Sequence, residues 1–365
     1  MRVLLIRLSA LGDVILIEPV IRALRAFGAT TIDLVTDARF ATLMARATDV
    51  DRVVGYDFRG DARGLRGVAR VARELGDGRY DWVLDLQNKV RTRLLARRVA
   101  ARHRMVLRKR SFSRAIASLW GADLPIDDRH ASEIYFDGLA RAGLPLSAPE
   151  LRPRLRRITP PGSPAVVPLG TRTAIPHGRS PPLRVGLCPA ATHATKIWGA
   201  SGFGALVSGL RTATDLPPMS FVAIGGPNDR TVLDAMRAEA GAAAFEPLDV
   251  SKLDVDGLAT VLASLDLLVS VDSGPAHLAA AMDVPTVVLF GPTSFVRWGP
   301  RGGPHQVVSL ALDCAPCSNT GGARCPRPER DHACMRDLKP ARVIDAIRAA
   351  LFAAGRLMCA PGDER

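Results

Sequence analysis

Aromatic side chains make up only 5% of the 365 residues, and just five of the 49 basic residues are lysines: Lys89, Lys109, Lys196, Lys252 and Lys339. Six cysteines are too few to scaffold a chain of this length, which excludes the small disulfide-stapled secreted classes. No window of 18 uncharged apolar residues occurs, so no membrane-spanning helix is expected. The apolar run near Met1 is interrupted by Asp13 and Glu18 before it reaches the length of a secretion signal, and the cytoplasm is the expected location. Also missing is the G-x-G-x-x-G turn of dinucleotide-binding units: the first loop, Ser9 to Asp13, has Gly12 alone, which disfavours a Rossmann dehydrogenase.

What is present suits an enzyme-sized protein of two compact units. Hydrophobic residues are 47% and charged residues 23%, enough to bury full cores, and the net charge of +13 favours anionic partners. Strands are predicted at Arg2 to Leu8, Thr31 to Thr36, Arg52 to Tyr56, Trp82 to Leu86 and Met105 to Leu107. One helix is predicted over Val14 to Phe27, with Pro19 tolerated near its first turn. Seven prolines between Thr159 and Pro182 read as a linker. Strands then resume at Leu183 to Cys188, Ser220 to Ile224, Leu267 to Val271 and Thr286 to Phe290, ahead of an amphipathic helix near Pro340 to Leu357. Strand alternating with helix on both sides of a linker predicts two doubly wound α/β domains, whose ligands bind at the carboxyl ends of the strands.

Those loops carry the chemistry-bearing residues. Asp13 follows the first strand, where it serves either as a helix cap or as a general base toward a bound hydroxyl. Lys196, in Thr195-Lys196-Ile197-Trp198, offers a point charge to a diphosphate, or is a solvated surface lysine. Gly225-Gly226 and Asp229 end another strand in a turn that suits phosphate or ribose only weakly. The strongest local signal runs from Asp272 to Ala280: Ser273 and Gly274 place N–H groups at a helix start, with His277 in the first turn. The alternative is a helix simply capped by Asp272 or Ser273. Asp49-Val50-Asp51 and Asp254-Val255-Asp256 resemble metal-nucleotide D-x-D strings, but the second opens a helix and reads as a cap, and neither is expected to hold metal.

Taken in order, Ser9-Ala10-Leu11-Gly12-Asp13, Asp85-Leu86-Gln87, Thr195-Lys196-Ile197-Trp198, Asp272 to Ala280 and Phe290-Gly291-Pro292-Thr293 resemble glycosyltransferase family 9, the ADP-heptose:lipopolysaccharide heptosyltransferases. The resemblance spans nearly the whole chain outside the linker. It implies a GT-B fold of two Rossmann-like domains facing each other across a cleft: an acceptor domain (1–158), the linker (159–182), a nucleotide-sugar domain (183–339), and a C-terminal helix and tail (340–365) packing back on the first domain. It implies inverting heptosyl transfer from ADP-heptose to a lipopolysaccharide core or lipid A acceptor, with no cofactor required. By motif, Asp13 becomes the base. Thr195, Lys196, Gly225, Gly226, Asp229, Leu253, Asp272, Ser273, Gly274 and His277 become donor contacts, and Ser9, Gly12, Gln87, Lys89, Arg91 and Arg93 acceptor contacts. Another nucleotide sugar or acceptor, or a non-catalytic nucleotide-sugar-binding protein, are the alternatives.

Two further clusters remain. Lys89 to Arg114 holds eleven basic residues and no acidic one, matching acceptor phosphates and the anionic inner-membrane surface of a peripheral protein. Phe112 alone interleaves with them and no recognised nucleic-acid-binding motif accompanies the run, so nucleic acid is not the expected partner. Cys314, Cys317, Cys325 and Cys334 have spacing suited to a structural zinc site, though similar cysteines before a Met-Arg-Asp like Met335-Arg336-Asp337 accompany the resemblance without requiring metal.

Overall fold

A computed structural model describes residues 1–60, 62–76, 78–107, 129–147, 150–157, 181–246 and 248–357. Most of the predicted linker, the end of the basic run from residue 108 onward and the tail beyond 357 lie outside the described residues. The chain divides into two compact units, Met1–Arg156 and Arg157–Arg365.

The first unit is built on five parallel strands: β1 (Arg2–Ile6), β2 (Thr31–Asp37), β3 (Arg52–Tyr56), β4 (Tyr80–Asp85) and β5 (Ala101–Val106), in the order β3-β2-β1-β4-β5. In β1, Val3 to Ile6 are all fully buried, because a central parallel strand is covered on both faces and needs no polar alternation. The edge strand β5 instead exposes Arg102, His103 and Arg104, charges that discourage further strand pairing. Part of the basic run is therefore structural. The Arg104 guanidinium also donates to the carbonyls of Ala96, Val99 and Ala101 at 2.7–3.3 Å, where the helix Val90–Arg98 ends.

The second unit repeats the layout with a different winding. Its strands β6 (Leu183–Cys188), β7 (Met219–Ala223), β8 (Leu267–Val271), β9 (Thr286–Phe290) and β10 (His305–Ser309) are again all parallel, in the order β10-β9-β8-β6-β7. In each sheet the strand order reverses once: between β1 and β4 in the first unit, and between β6 and β8 in the second. Such reversals leave a crevice beyond the carboxyl ends of the strands, the usual ligand position in open α/β sheets.

One expectation is corrected and one strand was not foreseen. The helix predicted over Val14 to Phe27 is two helices, Leu11–Ile15 and Glu18–Ala26. Pro19 lies in the first turn of the second, where its missing N–H costs nothing but continuation from the first would clash. The C-terminal helix Pro340–Ala353 places Val343, Ile347, Ala350 and Leu351 in the second unit's own core, with β6, β8 and β9 residues. The strand β10 was not predicted. Its sequence, HQVVS, is short and half polar, as an edge position allows.

Candidate functional site

At the reversal in the first unit, β1 runs into Arg7, whose side chain is 2% exposed. Its guanidinium pairs with Asp13 Oδ1 at 2.5 Å, donates to the Leu86 carbonyl beyond β4, and lies 5.7 Å from the centre of the Tyr135 ring. Asp13 Oδ2 accepts from the Ala10 N–H at 3.2 Å. The carboxylate therefore does steady the turn while remaining 24% exposed, so capping and chemistry are both open to it. From the neighbouring loop, buried Gln87 accepts at Oε1 from the Leu8 and Ser9 N–H groups, at 3.1 and 3.2 Å, and donates from Nε2 to Ser9 Oγ at 3.3 Å. Ser9, Gly12, Asp13 and Gln87 are thus brought together by the β1–β4 seam.

Asp85, at the end of β4, anchors the second loop. It accepts from the Gln87 and Asn88 N–H groups at 2.9 Å and from Thr92 Oγ1 at 2.8 Å. Burial nevertheless raises its pKa above the ordinary aspartate value, against the pull of those donors and of Arg7. Lys89, Arg91 and Arg93 are exposed at the start of the helix Val90–Arg98, which has no acidic residue in its first turn. Arg91 stacks on Phe58, with 4.5 Å to the ring centre, and Arg93 Nε donates to Asn88 Oδ1 at 2.6 Å.

At the reversal in the second unit, Lys196 ends the 3-10 turn Ala194–Lys196 after β6, and its Nζ is 2.8 Å from Asp272 Oδ2, beyond β8. Both are largely buried, at 14% and 7% exposed, and Thr293 Oγ1 donates to the same Asp272 oxygen at 2.7 Å. Lys196 is therefore no solvated surface lysine. The helix Gly274–Ala281 begins at Ser273 with no side-chain cap bond. Both residues expected to cap it are engaged elsewhere: Asp272 with Lys196 and Thr293, and Ser273 Oγ with Ser270 Oγ at 2.9 Å and Cys188 Sγ at 3.8 Å. The simple capped-helix reading loses its caps. His277 and Asp272 help line a small hollow with Phe290 and Trp298.

The remaining donor candidates are arranged more loosely. Asp229 Oδ2 accepts from the Gly226 N–H at 2.7 Å, closing the turn after β7 and committing one of its carboxylate oxygens. That turn packs against the 3-10 turn Val250–Lys252, after which Leu253 stands 38% exposed. The D-x-D strings are used structurally: Asp254 accepts from the Gly257 N–H at 2.8 Å as a helix cap, and Asp49 and Asp51 pair with Arg25.

Cys314, Cys317, Cys325 and Cys334 line one shared pocket together with Thr195 and His332. All are free thiols, yet among the described residues no three His, Cys, Asp or Glu side chains stand where they could hold a metal ion. The spacing suited to zinc does not bring the four thiols into a metal-holding group in this structure. The Cys325 thiol donates to the Arg327 carbonyl at 3.3 Å. Burial, and then the neighbouring cysteines, push the Cys334 thiol up to about 11.

Sequence reasoning missed Arg7 and Thr293. The first had a signal, a lone arginine inside the apolar run Leu4 to Leu8; the second lay in a quoted motif but was given no role.

Two Rossmann-like units, each carrying polar groups at its strand-order reversal, have the GT-B architecture. The sequence pattern of glycosyltransferase family 9 (heptosyltransferase) matches residues 68–323, and the chain belongs to that family and is a glycosyltransferase. It is 28% identical over 392 aligned positions to lipopolysaccharide heptosyltransferase 1 of Pseudomonas aeruginosa, covering 97% of this chain and 99% of that one. Its fold is similar to the glycosyltransferase family 9 protein of Veillonella parvula, with a TM-score of 0.73 at 22% identity over 96% of this chain and 97% of that one. The Escherichia coli heptosyltransferase WaaC with ADP gives a TM-score of 0.66 at 22% identity, over 96% of this chain and all (100%) of that one.

Proposed function

We propose that this protein transfers heptose from ADP-heptose to an anionic lipopolysaccharide inner-core acceptor with inversion at the anomeric carbon. The observation that carries the reading is the uncapped start of the helix Gly274–Ala281 beside the buried Lys196–Asp272 pair. Free N–H groups and an ammonium at one strand-order reversal suit a diphosphate, which gathers negative charge as it leaves. Asp229 then takes the ribose with its second oxygen, and the exposed Leu253 offers an apolar face to adenine. That WaaC has been solved with ADP, and that the Pseudomonas relative is a lipopolysaccharide heptosyltransferase, support this choice of donor and acceptor.

In the first unit Asp13 accepts the proton of the acceptor hydroxyl as that oxygen attacks the anomeric carbon and the bond to ADP breaks. One displacement inverts the centre without a covalent intermediate. Ser9, Gly12 and Gln87 shape the acceptor surface, and Lys89, Arg91 and Arg93 meet its phosphates and acidic sugars at the cytoplasmic membrane surface. The test is turnover on a panel of ADP-, UDP- and GDP-sugars, with Asp13→Asn alongside. Turnover with ADP-heptose, falling by roughly 10²- to 10⁴-fold in the variant, is expected. Near-normal turnover by Asp13→Asn, or a preference for UDP- or GDP-sugars, would refute the assignment.

A further inference from the structure

Every polar group of Thr195 is held by the cysteine-rich stretch that follows β10. Its N–H donates to the Gly322 carbonyl at 3.2 Å, and its hydroxyl donates to that carbonyl at 3.0 Å and accepts from the Gly322 N–H at 2.9 Å. Its carbonyl is gripped by His332 Nε2 in a close contact. The same stretch lies against the stem of Lys196: a β-carbon on Gly321, whose φ is +92°, would stand 3.1 Å from Lys196 Cγ. Asp331 and His332 both adopt left-handed backbone, with φ of 37° and 61°, a conformation unfavourable for non-glycine residues, and so present the imidazole to that carbonyl.

The geometry matters because the Thr195 carbonyl belongs to the planar peptide unit that leads into Lys196. Fixing the plane of that unit fixes the N–Cα bond of Lys196, the axis about which its side chain is set. We propose that His332 is a positioning residue for the diphosphate site: by holding the Thr195 carbonyl it sets where the Lys196 ammonium stands against Asp272 and the donor. This rests on the reading of Lys196 as a diphosphate contact. His332 touches no reacting atom; it acts through one peptide plane, and it ties the cysteine-rich stretch to donor binding.

The experiment compares ADP binding by calorimetry and adenosine binding by ligand-observed NMR in Lys196→Ala, His332→Asn, His332→Gln and the double variant Lys196→Ala/His332→Asn. Asparagine tolerates the left-handed backbone but is too short to reach the carbonyl, whereas glutamine returns an amide nitrogen near the position of Nε2. His332→Asn is expected to raise the Kd for ADP roughly fivefold to tenfold, the scale of one lost hydrogen bond. Adenosine, which has no phosphate, should bind as before. His332→Gln should return ADP affinity to within about twofold of the parent, and the double variant should bind ADP no worse than Lys196→Ala, since both substitutions remove one interaction. Unchanged ADP affinity in His332→Asn, equal loss for adenosine, no rescue by glutamine, or multiplied losses in the double variant would each overturn the inference while leaving a weakened Lys196→Ala to support the diphosphate site. Unchanged ADP affinity in Lys196→Ala would overturn the diphosphate site and this inference together.

Discussion

The Arg7–Asp13 pair is unequal: the cation is 2% exposed and the carboxylate 24%. Removing the carboxylate strands a charge that water cannot reach, whereas removing the arginine leaves a carboxylate that can still hydrate. Breaking a fully buried pair from one side costs about 3–5 kcal/mol, an upper limit here because Arg7 also donates to the Leu86 carbonyl. Asp13→Asn is therefore expected to melt at a lower temperature than Arg7→Met, and its activity has to be read where circular dichroism shows it folded. Equal melting temperatures would mean that the pair carries no such asymmetry. A residue-scale test of packing lies at Gly291, where a β-carbon would stand 2.6 Å from Met335 Sδ and 3.0 Å from Cys334 Sγ. Gly291→Ala should cost about 1–3 kcal/mol by overpacking, measured by denaturant unfolding.

At the scale of elements, the helix Val90–Arg98 presents Lys89, Arg91 and Arg93 at its positive end without an acidic residue in its first turn. Replacing all three by Gln should raise the acceptor KM with donor affinity little changed, and added salt should do the same to the parent, because exposed charges are screened over about 8 Å at physiological ionic strength. Salt-insensitive acceptor binding would remove these residues from the acceptor surface. Much of the element plan was legible in the sequence, for a physical reason. Runs rich in valine and leucine such as Leu183 to Cys188 and Leu267 to Val271 occur where strands are largely buried, and they match the observed strands end to end. The loop motifs were legible because their residue types are unusual after such runs. What stayed hidden depends mostly on partners distant in the chain: Arg7 donates to the Leu86 carbonyl, and the Asp272 carboxylate is taken by Lys196, far upstream, and by Thr293.

For the whole molecule, acid acts in opposite senses on two of its carboxylates. Hydrogen bonds from Arg184, at 2.7–3.0 Å, hold Glu246 below the usual glutamate range. A depressed folded pKa gives stability that is present above the unfolded value, about 4.3, and lost as pH falls through the folded one. Glu246→Gln should therefore lower Tm near neutral pH, and the gap should close below about pH 4. Asp85 is raised by burial, so its stabilising share is present below the unfolded value and lost as pH rises through the folded one. The Tm gap between the parent and Asp85→Asn should therefore narrow as pH climbs above about 4. Thermal melts across pH 3 to about 8 would check both, and parallel curves would contradict them. The strand order carries a consequence in time as well as in space. β1 pairs on one side with β2, soon after it in the chain, but on the other with β4, with Val3 opposite Trp82. Roughly 80 residues must leave the ribosome before that second edge is covered, about 4–16 s at ordinary elongation rates. The seam that gathers Asp13, Ser9 and Gln87 is thus open throughout the early life of the nascent chain, and a chain stalled before β4 has Arg7 and Asp13 but lacks the Leu86 and Gln87 partners that order their loop.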